Sequence, residues 1–396
     1  MASGEGLEDI VAGKSAISTI DGKRGVLTYR GISIHDLADH STFEETVYLL
    51  WYGRLPKAVE LRNFCEQAWA EVRLPKDVVA QLHSLPDDAN PMSLLRTGVS
   101  LLGLSDPEEG GSNAPEQPAP GVNLIGQLGP EAPGFGPNHP NSKKAVRLLG
   151  QMAALVAAIQ RLQKHQDLVA PRPGKSIAYN FLLMLTGKEP DEEATRIFDT
   201  CLILHADHEF NASTFTARVA AGTLSDLHSA IVAAVCALKG PLHGGANTAV
   251  MKMLMEVQDP ARAQDWVKDA LDKKKKIMGF GHRMYKGEDP RATHLRKMSE
   301  SLCAKVGRPD LYELSKNIET AMFALKQIKP NVDFYSASVY YSLGIDPELY
   351  TPIFAMSRVS GWIAHVLEQL ANNRLIRPVA DYVGRQDVPY APLAQR

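Results

Sequence analysis

Residues 142–165 read SKKAVRLLGQMAALVAAIQRLQKH, and their spacing decides the class of fold. Leu148, Met152, Leu155, Ile159 and Leu162 recur every three or four positions and so share one face of a long amphipathic helix. The same period continues on both sides. Upstream, Thr42-x-x-Glu45 has the form of a capping box opening the apolar run FEETVYLLWYG, which stops at Gly53 ahead of Leu55-Pro56. Further helical blocks are expected at 57–72, 76–83 and 91–103. Downstream they follow at 175–187, 191–207, 225–238, 260–272, 291–306, 309–328, 334–343 and 350–371. The one β signal is SAISTIDGKRGVLTYRG at 15–31, where β-branched residues flank Asp21-Gly22, a dipeptide suited to a tight hairpin turn. The expected class is therefore all-α with a small N-terminal β-hairpin.

Residues 106–142 interrupt the helical pattern. They hold 8 of the 25 prolines and 7 of the 30 glycines and lack helical periodicity, which marks a Pro/Gly-rich insert loop.

Composition narrows the function. At 396 residues and 44% apolar content, the chain can bury a large core, and its length favours two or three compact units. A net charge of −2 argues against a dedicated nucleic-acid binder. Cys65, Cys201, Cys236 and Cys303 are far apart and form no C-x-x-C pair, so buried thiols in a reducing compartment are expected rather than a zinc site or disulfides. No stretch has eighteen consecutive apolar residues and the acidic N-terminus has no hydrophobic signal core, which points to a soluble, cytoplasmic protein without a membrane partner. Nucleotide signatures fail. Gly13-Lys14-Ser15 and Gly174-Lys175-Ser176 have Glu8 and Val169 where a phosphate loop needs glycine, and Gly279-x-Gly281 is followed by Met284 instead of a third glycine.

Chemistry concentrates at residues 276–291, KIMGFGHRMYKGEDPR. Gly279 and Gly281 let the backbone bend around Phe280 and present His282, while Asp289-Pro290 starts a helix that places Arg291 where its guanidinium can hold a carboxylate; a basic surface loop is the plainer reading. His243 lies between Pro241 and Gly244-Gly245 at a helix start, where main chain can keep the imidazole neutral, as a weak acid or simply as a cap. Asp333 sits among apolar and aromatic residues, as a base with a raised pKa or as an N-cap. His205 and His208 are one helical turn apart, yet no carboxylates complete a metal set, and Asn211 reads as the cap of the next helix. Arg291, Arg358 and Arg377 lie in or beside apolar segments where an unpaired charge is costly, so they call for anionic partners such as a small dicarboxylate.

Six motifs in order, LHADHEFNASTF, GPLHGGAN, IMGFGHRMYKGEDPRA, NVDFYSASVY, SRVSGWIAH and RLIRPVADYVG, closely resemble those of citrate synthases. The likeness runs from residue 21 to Gly384, apart from 106–142. It implies a two-domain, mostly helical fold, with a large domain from 1–244 and 345–396 and a small domain from 245–344. It implies an acyltransferase that condenses acetyl-CoA with oxaloacetate and hydrolyses citryl-CoA to citrate and CoA, with no metal or redox cofactor. By this likeness His243, His282 and Asp333 are the catalytic trio. His208, His282, Arg291, Arg358 and Arg377 hold oxaloacetate, and Lys276, Met278, Gly279, Phe280 and Gly281 belong to the coenzyme A site. The implied assembly is a homodimer in which Arg377 crosses to the partner's site, with higher assemblies open. The 2-methylcitrate synthases share these motifs and use propionyl-CoA, and one methylene discriminates by only about 1–3 kcal/mol, so the acyl group stays open. A scaffold protein that keeps the fold without the activity is the alternative from another class.

Overall fold

The computed structural model describes residues 5–7, 10–107 and 140–396, so most of the Pro/Gly-rich insert at 106–142 lies outside the described residues. Among the described residues there are sixteen α-helices and a three-stranded antiparallel sheet. The helices are α1 (Ile34–His40), α2 (Phe43–Tyr52), α3 (Ala58–Ala70), α4 (Lys76–Leu82), α5 (Pro91–Leu104), α6 (Pro140–Gln163), α7 (Ile177–Thr186), α8 (Glu192–His205), α9 (Ala212–Gly222) and α10 (Leu227–Leu238). They continue with α11 (Ala246–Val257), α12 (Ala263–Asp272), α13 (Pro290–Lys305), α14 (Pro309–Lys326), α15 (Val332–Ser342) and α16 (Tyr350–Ala371). The all-α expectation holds.

Local chemistry sets the helix ends. Thr42 caps α2 by accepting the Glu45 N–H, but the Glu45 carboxylate turns to the Ser41 hydroxyl (2.8 Å) instead of closing a capping box. Asp191, Asn211, Asp226 and Asp289 cap α8, α9, α10 and α13 in the same way, each satisfying an N–H that the first turn leaves without a partner. Asn331 caps α15, which places Asp333 inside the first turn, so the N-cap role open to Asp333 belongs to Asn331.

The core is built around α16, every residue of which is buried, packed on α2, α6, α8, α9 and α10. The Trp51 indole N–H reaches into this helix and donates to the Ser360 carbonyl (2.9 Å). Helix α6 is long and apolar enough to span a membrane by composition, unlike the expectation from run length alone, but 83% of its apolar window is buried among neighbouring helices. A second group, α11 to α15, packs mainly on itself, and its α13 also touches α1 and α8. Cys65, Cys201 and Cys303 are buried as expected; Cys236 is exposed, a correction that follows from its place on the outer face of α10.

The sheet corrects the hairpin in two respects. Strands β1 (Ser18–Asp21) and β2 (Val26–Tyr29) pair with Asp21 opposite Val26, so the turn has four residues, and β3 (Ile32–Ser33) adds a third strand. Asp21 makes the longer turn by accepting the N–H groups of Lys23 and Arg24 at 3.1 and 3.0 Å, a local side-chain bond that competes with the two-residue turn.

Candidate active site

The loop before α13 lies against the segment that leads into α15. Phe280 bridges to Pro330, the Gly281 N–H donates to Lys329 O (3.1 Å), and the Asn331 N–H donates to Gly279 O (2.9 Å). The Asn331 side chain adds a bond to Gly281 O (2.9 Å). Gly279 has φ +82°, and a Cβ there would come within 2.7 Å of Val250 and 2.9 Å of Phe334, so only glycine fits. These contacts tie His282 and Asp333, 51 positions apart, to one small patch.

The surrounding main chain selects one tautomer of His282. Its Nδ1 accepts from the N–H of Met284 (3.0 Å) and faces that of Tyr285 (3.4 Å), which leaves the proton on Nε2. Burial, helped by the Arg291 charge, lowers its pKa to about 4, so the ring is neutral at pH 7. The His208 ring lies 5.0 Å from it, and the Tyr285 hydroxyl is 3.2 Å from His208 Nε2. His208 also stays neutral, since burial and then Arg291 push its pKa well down.

His243 is fixed by the start of α9. Its Nε2 accepts from the Ser213 N–H (3.2 Å), a main-chain donor that leaves the ring proton on Nδ1, and Ser213 Oγ lies 2.8 Å from the same nitrogen. Ser213 is held in turn by Asn211 Oδ1 (2.7 Å) and the Trp362 indole N–H (3.1 Å). Burial, then the Arg358 charge, lower the His243 pKa to about 4. Thus main chain from α9 fixes His243, in addition to the local main chain of its own loop.

Charge is distributed around these rings. Burial raises the Asp333 carboxyl to about 6 despite the nearby Arg291 and Arg358 charges. Arg291 is buried and forks onto Asp289, with Nε to Oδ1 at 2.9 Å and Nη2 to Oδ2 at 2.8 Å. Asp289 Oδ2 also accepts the Val332 N–H (3.0 Å), linking α13 to α15. The first anionic partner of Arg291 is therefore a residue of the protein. Arg358 differs. Its Nε donates to His205 O (2.6 Å) and its guanidinium lies 4.6 Å from the Phe354 ring centre, with no ion pair among the described residues. Burial lowers it to about 10, so it remains charged at pH 7 and faces the Asp333 and Arg291 fields.

Of the other sequence candidates, Arg377 lies exposed on the segment after α16. Lys276 is exposed at the start of the loop, whereas Phe280 packs its ring against Phe334 with centres 4.6 Å apart. Gly279 and Gly281 spend main-chain groups on 329–331, while the N–H and C=O of Phe280, a non-hydrogen-bonded bridge position, point the other way. Around His205 and His208, as elsewhere among the described residues, no group of three His, Cys, Asp or Glu is placed to share a metal. Sequence reasoning passed over Ser213, Tyr285, Asn331 and the pairing role of Asp289. Ser213 had a signal, because it follows the Asn211 cap where helix N–H groups are free.

The arrangement holds two neutral histidines with opposite tautomers, a carboxylate of raised pKa and two buried arginines, a set suited to enolising a carbonyl compound beside an anionic acceptor. Comparison with known proteins agrees. The family profile described as "Citrate synthase, C-terminal domain" matches residues 6–379. The chain is 48% identical to "Citrate synthase 2" of Bacillus subtilis, with all of both chains covered. It is 38% identical to "2-methylcitrate synthase 1" of Corynebacterium glutamicum, covering 99% of this chain and 98% of that one. The citrate synthase of Thermoplasma acidophilum, solved as a ternary complex with carboxymethyl coenzyme A and oxaloacetate, superposes with a TM-score of 0.85 at 35% identity, covering 99% of each chain. Site chemistry, fold and full-length similarity converge: the chain belongs to the citrate synthase family and is an acyltransferase of that type.

Proposed function

We propose that Asp333, His243 and His282 carry out the condensation of acetyl-CoA with oxaloacetate. The observation that carries this reading is the pair of histidine tautomers fixed by main-chain donors. Asp333 takes a proton from the thioester methyl while His243 Nδ1–H donates to the thioester carbonyl, so negative charge never fully develops on the enol oxygen. His282 Nε2–H donates to the keto oxygen of oxaloacetate and makes its carbon the better electrophile. A carbon–carbon bond forms, and hydrolysis of the citryl thioester then gives citrate and CoA. His208, Arg291 and Arg358 hold the oxaloacetate carboxylates, with Arg358 as the charge that has no ion pair among the described residues.

The free main-chain edge at Phe280, with Met278 and exposed Lys276 beside it, supports coenzyme A binding there. The reaction lies in a cleft between a large domain, 1–244 with 345–396, and a small one, 245–344; the self-packing of α11 to α15 supports that division. The active unit is a homodimer with Arg377 crossing to the partner's site. Its support is the segment after α16, which exposes Leu375, Val379, Tyr382 and Val383 by 58, 85, 65 and 92%, more apolar surface than a lone chain normally leaves in water. Unpaired cysteines fit a cytoplasmic setting.

Thiol release with oxaloacetate and either acetyl-CoA or propionyl-CoA tests the reading. Acetyl-CoA is expected to give the higher kcat/KM. A ratio favouring propionyl-CoA moves the assignment to 2-methylcitrate synthase, and no release with either favours the inactive scaffold.

A further inference from the structure

The N-terminal hairpin presses directly on the 284–285 peptide, whose Tyr285 N–H is the longer of the two main-chain donors facing His282 Nδ1 and which adjoins the Met284 N–H, the shorter one. The turn residue Gly22 lies so close to Met284 that a Cβ on it would overlap the Met284 carbonyl oxygen, lie 2.7 Å from the carbonyl carbon and 3.5 Å from Tyr285 N. The Gly22 carbonyl accepts the Lys286 N–H (2.9 Å), and a Cβ on Gly25 would come within 2.8 Å of Glu288 O. Thus the turn grips the 284–288 backbone at three points. The same Met284 and Tyr285 N–H groups face His282 Nδ1, so one short stretch of main chain connects the hairpin to the imidazole.

From this we infer that Gly22 is a positioning residue for the reaction: backed by the Asp21-shaped turn, it holds the 284–285 peptide, and through Met284 the adjoining N–H, where the two donors keep the His282 proton on Nε2. The inference rests on the role of His282 given above. Gly22 is outside the left-handed region, so alanine suits its backbone and the only obstacle is the Met284 carbonyl. A Cβ needs about 3.5–4 Å from that carbon, so the loop must retreat by about 1 Å. A shift of that size in a catalytic group costs on the order of 10²-fold in rate. Asp21 acts one step back, through the Lys23 and Arg24 N–H groups it accepts.

The test uses the full chain. Gly22→Ala is expected to lower kcat/KM about 10²-fold at an unchanged fraction of folded protein, while Lys23→Ala, on the exposed side of the turn, stays within twofold of wild type. Ring ¹⁵N shifts of His282, assigned with His282→Gln, should move from a single Nε2–H tautomer to a mixture in Gly22→Ala. Asp21→Ala should move both readouts in the same direction and Asp21→Asn, whose amide oxygen can still accept, should not; this pair decides the matter where Gly22→Ala fails to fold. Wild-type kinetics and an unchanged His282 spectrum in Gly22→Ala or Asp21→Ala overturn the inference. A wild-type protein that releases no thiol refutes the functional reading instead, while the His282 spectrum still reports whether the turn positions the ring.

Discussion

Lowering the pH should switch off turnover through Asp333 before it touches either histidine. Burial holds the Asp333 carboxyl at about 6, while His243 and His282 sit at about 4. The base must be ionised and both rings neutral, so kcat/KM, which reports the free enzyme, follows the product of those fractions. At pH 7 roughly nine-tenths of Asp333 is ionised; at pH 5 roughly one-tenth is, with both histidines still about nine-tenths neutral. The expected profile is a plateau above pH 7, a fall of about tenfold per unit below about pH 6, and a steeper fall below about pH 4 as the rings protonate. Thiol release in constant-ionic-strength buffers, with stability at each pH checked by return to pH 7.5, measures it. A limb centred near 4, or rates flat down to pH 5, would refute the claim that burial has raised the base.

The same shift has a stability counterpart. Since the folded pKa of Asp333 exceeds its unfolded value, the native state binds more protons between about pH 4 and 6, and its contribution to stability falls as pH rises through that window. A carboxyl raised from its ordinary value to about 6 corresponds to at most about 3 kcal/mol at pH 7. Asp333→Asn should therefore raise Tm slightly at pH 7.5 and not at pH 4, by scanning calorimetry. Asp289→Asn strips buried Arg291 of its carboxylate and should destabilise the protein by about 3–5 kcal/mol; oxaloacetate should then raise Tm more in the variant than in wild type, by supplying the missing anion. Co-expressed Asp333→Ala and Arg377→Ala chains, each inactive alone, should recover about one quarter of wild-type activity under random pairing if Arg377 serves the partner's site. No recovery in verified heterodimers places Arg377 in its own chain's site or outside the reaction.

Periodicity and caps made the helices legible. Leu148, Met152 and Leu155 share a buried face as their spacing requires, and Asp226 and Asn211 cap where a polar residue precedes an apolar run. The hairpin turn was misread because the dipeptide preference at Asp21-Gly22 is weaker than the two N–H bonds the Asp21 side chain makes by lengthening the turn. The site residues were legible mainly through six motifs in order, since spacing alone left His243 and Asp333 divided between catalysis and capping. Nothing local in the sequence reveals the tautomers, because the Ser213 N–H that fixes His243 comes from 30 positions away. Nor does it show that Arg291 already forks onto Asp289 while Arg358 makes no ion pair among the described residues. Those are properties of how α8, α9, α13, α15 and α16 converge.

The central claim is that Asp333 acts on the acyl thioester and not on oxaloacetate. Calorimetric titration of Asp333→Asn with oxaloacetate, alongside its turnover, tests this most directly. The account predicts an oxaloacetate Kd within about threefold of wild type and turnover lowered by about 10²–10⁴-fold, the range a positioned base supplies. Turnover within about tenfold of wild type in the folded variant, or loss of oxaloacetate binding in a protein that still folds, would contradict it.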